Sequence, residues 1–310
     1  MDDHWKRGRV ILAQSGFFTV ETENSGTLTC QIRGRLKQGP KQGDIVAIGD
    51  WVQVSSEVEG EGMIEEVEPR EHMIYRMAPT PRGEYQQIII ANPDQAVFVF
   101  SISHPEPKLR MLDRFLVIAE KERVSSLIVV NKMDLVEEQT ARDLFQRYQE
   151  IGYSVLFTSV VTPLGIRELK LRLAGKVSLL AGPSGVGKTS LLNAVQPGLG
   201  LAVREVSETT RKGKHTTVAR KLVSLADGGY VADTPGLKAL DLWDVEPEEV
   251  DGYFPEISLR VPDCRFSDCT HVHEPGCAVK EAVDSGDIHP ERYQSYLRMR
   301  RVEEDKDPWS

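Results

Sequence analysis

Long apolar runs are missing from the 310 residues. No stretch approaches the roughly 18 apolar residues that a membrane-crossing helix needs. The opening residues, Met1-Asp2-Asp3-His4-Trp5-Lys6, have no basic-then-apolar leader pattern, so a cytoplasmic protein without membrane contact is the expectation. Positive charge is short as well: 38 Lys and Arg stand against 47 Asp and Glu, a formal charge of -9. That balance excludes a general polyanion binder and confines any nucleic-acid contact to a local patch. Cysteine is scarce, with four residues of which Cys30 stands alone and Cys264, Cys269 and Cys277 crowd together. This distribution suits metal binding better than a disulfide framework. With 25 Gly, 17 Pro, 40% hydrophobic and 27% charged residues, collagen-like, coiled-coil and disordered chains are excluded, and large buried cores are available.

At about 100 to 200 residues per domain, the length suits two or three domains. Short β-like runs fill the first seventy residues: Val10-Ile11-Leu12, residues 17–22, a turn at Asn24-Ser25-Gly26, then residues 27–32, 51–54 and 63–67. About five strands fit a small closed barrel, with an OB-fold the leading candidate and a barrel that binds protein or merely packs the alternative. A Pro-containing stretch, Met77-Ala78-Pro79-Thr80-Pro81-Arg82-Gly83, reads as a boundary, giving a first unit at 1–76. The pattern then changes. Apolar strands at 95–101, 126–130, 154–157 and 177–181 alternate with helical patterns at 109–122, 137–150 and 166–173, which predicts a mostly parallel sheet with helices on both faces over 77–242. A third unit, 243–310, holds the Cys/His cluster, an Arg-rich helix at 290–302 and a frayed charged tail at 303–307. Trp5, Trp51 and Trp243 are assigned to cores or domain contacts.

Gly182-Pro183-Ser184-Gly185-Val186-Gly187-Lys188-Thr189 follows an apolar strand and leads through Ser190 into a helical pattern. This is a phosphate-binding loop in its proper context. Its glycines let backbone N–H groups curl around phosphates at a helix N-terminus, Lys188 reaches the β- and γ-phosphates, and the Thr189 hydroxyl is a Mg²⁺ ligand. Asn131-Lys132-Met133-Asp134, after another strand, supplies base choice. Asp134, read as a buried carboxylate, can accept two hydrogen bonds from guanine, and leaving it unpaired penalises adenine. The Lys132 stem can cover the base, and Asn131 can tie this loop to the phosphate loop. At Thr158-Ser159 a backbone amide can hold guanine O6. Asp233-Thr234-Pro235-Gly236 ends a strand as a switch, with Asp233 holding Mg²⁺ through water and the Gly236 amide sensing the γ-phosphate. The polar segment Arg211-Lys212-Gly213-Lys214-His215-Thr216-Thr217 falls where a first switch must give Mg²⁺ a hydroxyl, from Thr216 or Thr217. Cys264, Cys269 and Cys277 with His271 or His273 form a closed tetrahedral zinc site. Four protein ligands leave no place for a reactive water, so this zinc is structural.

The motif order is unusual. In Ras-like GTPases the phosphate loop comes first and Asn-Lys-x-Asp late, whereas here Asn131 to Asp134 precede Ser159, then Gly182 to Thr189, then the switches. This looks like a circularly permuted GTPase, a rearrangement that leaves the sheet unchanged when the old termini lie close together. A barrel, a permuted G domain and a C-terminal Cys/His cluster together resemble the RsgA family (YjeQ/YloQ) of bacterial ribosome small subunit-dependent GTPases. The resemblance covers nearly the whole chain. It implies GTP hydrolysis to GDP stimulated by the small ribosomal subunit, a role in late maturation of that subunit, Mg²⁺ with GTP, and rRNA contacts. It selects His271 over His273 through the pattern Cys-x-His-x-x-Glu-Pro-Gly-Cys. Leu237 stands where Ras-like enzymes keep a water-orienting Gln, so intrinsic turnover is expected to be slow, and the resemblance implies His215 as the catalytic substitute. Val218 departs from the family's third Thr. Five basic residues within 211–221, and Arg292, Arg298, Arg300 and Arg301, are candidate rRNA contacts. Nothing in the sequence demands more than a monomer. A GTP-gated RNA-binding module and a signalling GTPase with protein partners are the competing readings.

Overall fold

The computed structural model describes residues 5–23, 26–38, 43–80, 83–199, 220–233 and 245–301. Five strands, β1 (Lys6–Gln14), β2 (Phe17–Thr22), β3 (Gly26–Ile32), β4 (Trp51–Ser55) and β5 (Glu61–Val67), pair in the order β1-β2-β3-β5-β4 and close through β4 back onto β1. Alternation drives the closure. In β4 the residues Val52 and Val54 point inward while their neighbours are half exposed, and they meet Val10, Val20, Leu28, Cys30 and Ile64 in one core. The expected small barrel of about five strands is what forms.

The segment read as a boundary is structured. β6 (Met73–Thr80) and β7 (Gly83–Ala91) form an antiparallel two-stranded sheet. Ile74, Ile88 and Ile90 are buried, which anchors its base. The Pro-containing stretch reads as a boundary, but Pro79 falls near the end of the hairpin, opposite Glu84, with Thr80 opposite Gly83. Missing ladder donors cost least there.

The second sheet runs β10 (Ser154–Phe157), β9 (Ser125–Asn131), β8 (Gln95–Ser101), β11 (Val177–Ala181), β13 (Tyr230–Asp233), β12 (Arg220–Ser224). All neighbours are parallel except β12, which runs antiparallel to β13. Every residue of β8 is buried, as a strand covered on both faces requires. Phe98, Phe100, Ile128 and Val130 face α1 (Leu109–Lys121) and α2 (Glu138–Ile151). Val97, Val99, Leu127 and Val129 face α3 (Ile166–Leu173) and α4 (Lys188–Val195). β12 also pairs with β1, Leu12 opposite Lys221 and Ala13 opposite Arg220, so barrel and sheet share one continuous ladder.

The last part is helical: a 3-10 turn over Pro247–Tyr253, then α5 (Pro255–Ser258), α6 (Ala278–Ser285) and α7 (Pro290–Arg301). Its core joins Val250, Phe254, Ile257, Val279 and Tyr296 to Val117 of α1. Arg292, expected to contact RNA, is 1% exposed. Its guanidinium donates to Asp113 Oδ1 at 2.7 Å and to Glu256 Oε1 at 2.7 Å. A guanidinium stays buried only when its donors are matched by acceptors, and here they are. Burial alone would lower its pKa, but Asp113 and Glu256 hold it well above the ordinary value. No described helix is long and apolar enough to cross a membrane.

Candidate nucleotide site and metal centre

The predicted nucleotide loops leave one edge of the sheet, at the carboxyl ends of the strands. Ser101 of β8 lies opposite Asn131 of β9, Phe157 of β10 opposite Val130, Ala181 of β11 opposite Phe98, and Asp233 of β13 opposite Leu180. Sequence positions more than a hundred residues apart are therefore brought together by strand register, at the crevice where doubly wound sheets bind ligands.

The phosphate loop owes its path to glycine. Gly182 has φ +147° and Gly187 φ +94°. A Cβ on Gly182 would stand 2.0 Å from the Val99 carbonyl oxygen, and one on Gly187 2.5 Å from Asn131 Nδ2. Lys188 opens α4 and its ammonium donates to the carbonyl oxygens of Gly182 and Pro183, each at 2.7 Å, so it sits folded inside the loop. Thr189 and Ser190 lie in the first helical turn, partly buried, and Ser184 is exposed at the loop's crest, beside Gly185. Val186 is buried beneath them.

Asn131 is 2% exposed, and its Nδ2 donates to the Val186 carbonyl oxygen at 2.9 Å. Its Oδ1 accepts from Thr158 Oγ1 at 3.1 Å. One side chain thus joins the base-reading loop to both the phosphate loop and the loop after β10. Lys132 takes a left-handed turn at φ +65°, its ammonium donating to the His104 carbonyl, and Met133 is buried. Asp134 departs from the sequence reading. It is exposed rather than buried, standing at the rim with one oxygen accepting from Ser159 Oγ at 2.5 Å.

Ser159 also acts differently from what was expected of it. The Thr158 amide donates to Val130 O at 2.8 Å and the Ser159 amide to Leu164 O at 3.1 Å. Both amides are engaged inside the protein, and the loop's side chains make contacts of their own. Ser159 Oγ orients Asp134 and accepts from the amides of Val161 and Thr162. His215, Thr216, Thr217 and Gly236 lie outside the described residues, as do Leu237 and Trp243. For Asp233 the backbone alone is described, at the end of β13.

Cys264, Cys269, His271 and Cys277 converge with their ligand atoms all within 4.8 Å of one another. His271 presents Nδ1, 3.5 Å from Cys264 Sγ and 3.4 Å from Cys277 Sγ, and its Nε2 faces an Asp251 oxygen at 3.4 Å. The competing His273 is exposed and outside the cluster. Burial pushes the Cys269 thiol up to about 12 and lowers the His271 imidazole. Three sulfurs and a neutral imidazole packed this closely fit a cation that takes thiolates. The loop around them is held by Glu274, whose carboxylate accepts from Thr270 Oγ1 and from the amides of Thr270, Val272 and His273. Those bonds, the Thr270 hydroxyl first, keep it well below the usual carboxylate range. Tyr293 and Tyr296 of α7 donate to the carbonyls of His271 and Thr270, which locks the loop onto the helix.

Residues 67–243 match the family profile described as RsgA GTPase, and residues 7–64 match the RsgA N-terminal domain. The chain belongs to the RsgA GTPase family. A small ribosomal subunit biogenesis GTPase RsgA of Gemmatimonas aurantiaca is 42% identical over 296 residues, covering 94% of this chain and 96% of that one. A protein of the same description from Geobacillus sp. is 43% identical over 303 residues, 97% of each. The crystal structure of YjeQ from Thermotoga maritima superposes with a TM-score of 0.78 at 38% identity, over 96% of this chain and 98% of that one. The crystal structure of YloQ, described as a circularly permuted GTPase, gives 0.76 at 33% identity, over 99% and 97%. The permutation inferred from motif order is thus a property of this fold.

Three side-chain roles are not read from the sequence: the Ser159 hydroxyl on Asp134, the Glu274 carboxylate under the metal loop and the Asp251 carboxylate facing His271. A signal for the second was present, since Glu274 stands inside the Cys-x-His-x-x-Glu-Pro-Gly-Cys pattern but was given no task. Asp251, across from His271, lies 13 residues before the first Cys and carried no signal.

Proposed function

We propose that this chain hydrolyses GTP to GDP and phosphate, is stimulated by the small ribosomal subunit, and acts late in that subunit's maturation, as a cytoplasmic monomer. The observation that carries the reading is the Asn131 side chain, which couples a guanine-reading loop directly to a phosphate loop at one sheet edge. Asp134, held by Ser159, reads the base, Lys132 covers it, and Thr158 steadies Asn131. The amides of the loop over Gly182, Pro183, Ser184, Gly185, Val186 and Gly187, with Lys188 and Ser190, hold the phosphates. Thr189 and one of Thr216 and Thr217 would hold Mg²⁺, and Asp233 would hold it through water. When bound, the ion would supply positive charge against the charge developing on the phosphates. The Gly236 amide senses the terminal phosphate, and His215 orients the attacking water. The cluster at Cys264, Cys269, His271 and Cys277 would hold one structural zinc ion, since it offers four ligands and no open position.

GTP turnover with and without purified small subunits, with ATP as competitor, tests this. Stimulation by subunits and indifference to ATP are expected, and no stimulation would refute the reading. D134A should weaken GTP binding about a hundredfold and let ATP compete, because the lost carboxylate accepts from the two guanine donors. H215A should bind GTP normally and lose the stimulated turnover. Normal stimulated hydrolysis by H215A would remove the catalytic assignment.

A further inference from the structure

The strand β12 begins with Arg220, directly after the segment that carries His215, Thr216 and Thr217. Arg220 is gripped by the barrel side of the molecule. Its Nη1 donates to Asp44 Oδ2 at 3.0 Å and to the Ile88 carbonyl oxygen at 2.5 Å. Asp44 belongs to the loop between β3 and β4 and is itself fully engaged. It accepts from the Tyr85 hydroxyl at 2.9 Å and the Ile88 amide at 3.0 Å. Its carbonyl and that of Ile45 accept from Arg70 Nη2, and Arg70 in turn makes a two-point pair with the buried Asp50. Barrel loop, β7 and the first residue of β12 therefore meet at one carboxylate.

The next residue continues the connection. Lys221 lies opposite Leu12 of the barrel strand β1 on one side and opposite Asp233 on the other, and Asp233 lies opposite Leu180, two residues before Gly182. One rung of backbone runs from the barrel through β12 to the strand that ends in Asp233 and on to the strand that feeds the phosphate loop. A ladder of this kind is stiff along its hydrogen bonds, so a shift of the barrel moves the rung rather than bending it.

We propose that Asp44 and Arg220 are positioning residues that transmit the placement of the barrel to the nucleotide edge, so that stimulation by the small subunit depends on this pair while basal hydrolysis does not. The inference rests on the function proposed above. Neither side chain belongs to the nucleotide machinery, and both are about three-quarters buried.

The test is GTP turnover of the full chain at saturating small subunits and without them, for wild type, D44N, R220A and R220K, with subunit binding followed by sedimentation. D44N and R220A are expected to keep basal turnover and KM for GTP and to lose about fivefold or more of the stimulation, the lower range of an allosteric coupling. R220K, which can still donate to both oxygens, is expected to retain most of it. Should R220A fail to fold by circular dichroism, Y85F, which removes a single bond to Asp44, must lower the stimulation. A stimulated wild type with variants stimulated to the same level overturns this inference alone, as does a loss confined to subunit affinity. A wild type that subunits do not stimulate overturns the functional reading and this inference with it.

Discussion

The barrel and the C-terminal region are joined to the same sheet by opposite means. At the barrel the link is a backbone ladder, β1 on β12, flanked by the partly exposed pair of Arg220 with Asp44 and by Arg7 and Arg9 stacked on Trp51. At the other junction the link is a buried charge. Arg292 of α7 reaches Asp113 of α1 and Glu256 of α5, and Asp113 also accepts from Tyr148 and Ser295. A ladder is satisfied by any residues that can adopt strand geometry, and water can replace a rim charge. A buried guanidinium has no substitute partner. The first junction suits parts that move together along a shared ladder, the second parts that must hold one arrangement.

The largest expected effect separates the two regions. Stripping the metal, by chelator or C277S, should unfold residues 245–301 and leave the barrel intact, because metal binding of this type carries on the order of 10 kcal/mol of folding energy. Limited proteolysis and amide exchange check it, and a barrel that opens together with the C-terminal region would break the contrast. R292A comes next, at about 3 to 5 kcal/mol, since it strands Asp113 and Glu256 without a counter-charge. Chemical denaturation measures this, and the combined change R292M with D113N and E256Q should recover much of the loss. R220A should cost about 1 kcal/mol or less, as partly exposed pairs do, which keeps it usable for kinetics. The smallest effect is pH-dependent and confined to the barrel. The Arg33 guanidinium, hydrogen-bonded to Glu65, holds that carboxyl below its ordinary range. Its contribution is present above the unfolded carboxylate value of about 4.3 and fades as pH falls through the lower folded value. Melting temperature should therefore drop more steeply below about pH 4 in wild type than in E65Q.

Much of the fold was legible because periodicity reports burial. The strands at 95–101 and 154–157 and the helix at 166–173 coincide with β8, β10 and α3, and β2, β3 and β4 of the barrel alternate as half-buried strands must. The hairpin of β6 and β7 was not legible, since a Pro-containing stretch reads as a boundary and only the pairing of Pro79 with Glu84 near the hairpin's end accommodates it. Arg292 looked like its neighbours Arg298 and Arg301 on a basic helix. What distinguishes it is Asp113, 179 residues earlier, and no local pattern carries that information. Asp134 was read as buried because a base-reading carboxylate is shielded by its ligand, whereas the folded chain alone leaves it at the rim.

By itself the amino-acid sequence carries the proposed chemistry: the loop proposed to cradle phosphate, the carboxylate proposed to choose guanine, the thiols that gather into one cluster, and the permuted order of the motifs. These depend on residue type and short spacing, which a chain carries along its length. Only the tertiary structure decided which groups meet. It set Ser159 on Asp134, Glu274 under the metal loop, Arg292 on Asp113, and Asp44 on Arg220. Such contacts arise from strand register and packing between distant segments, and their free energy exists only once the intervening chain has folded.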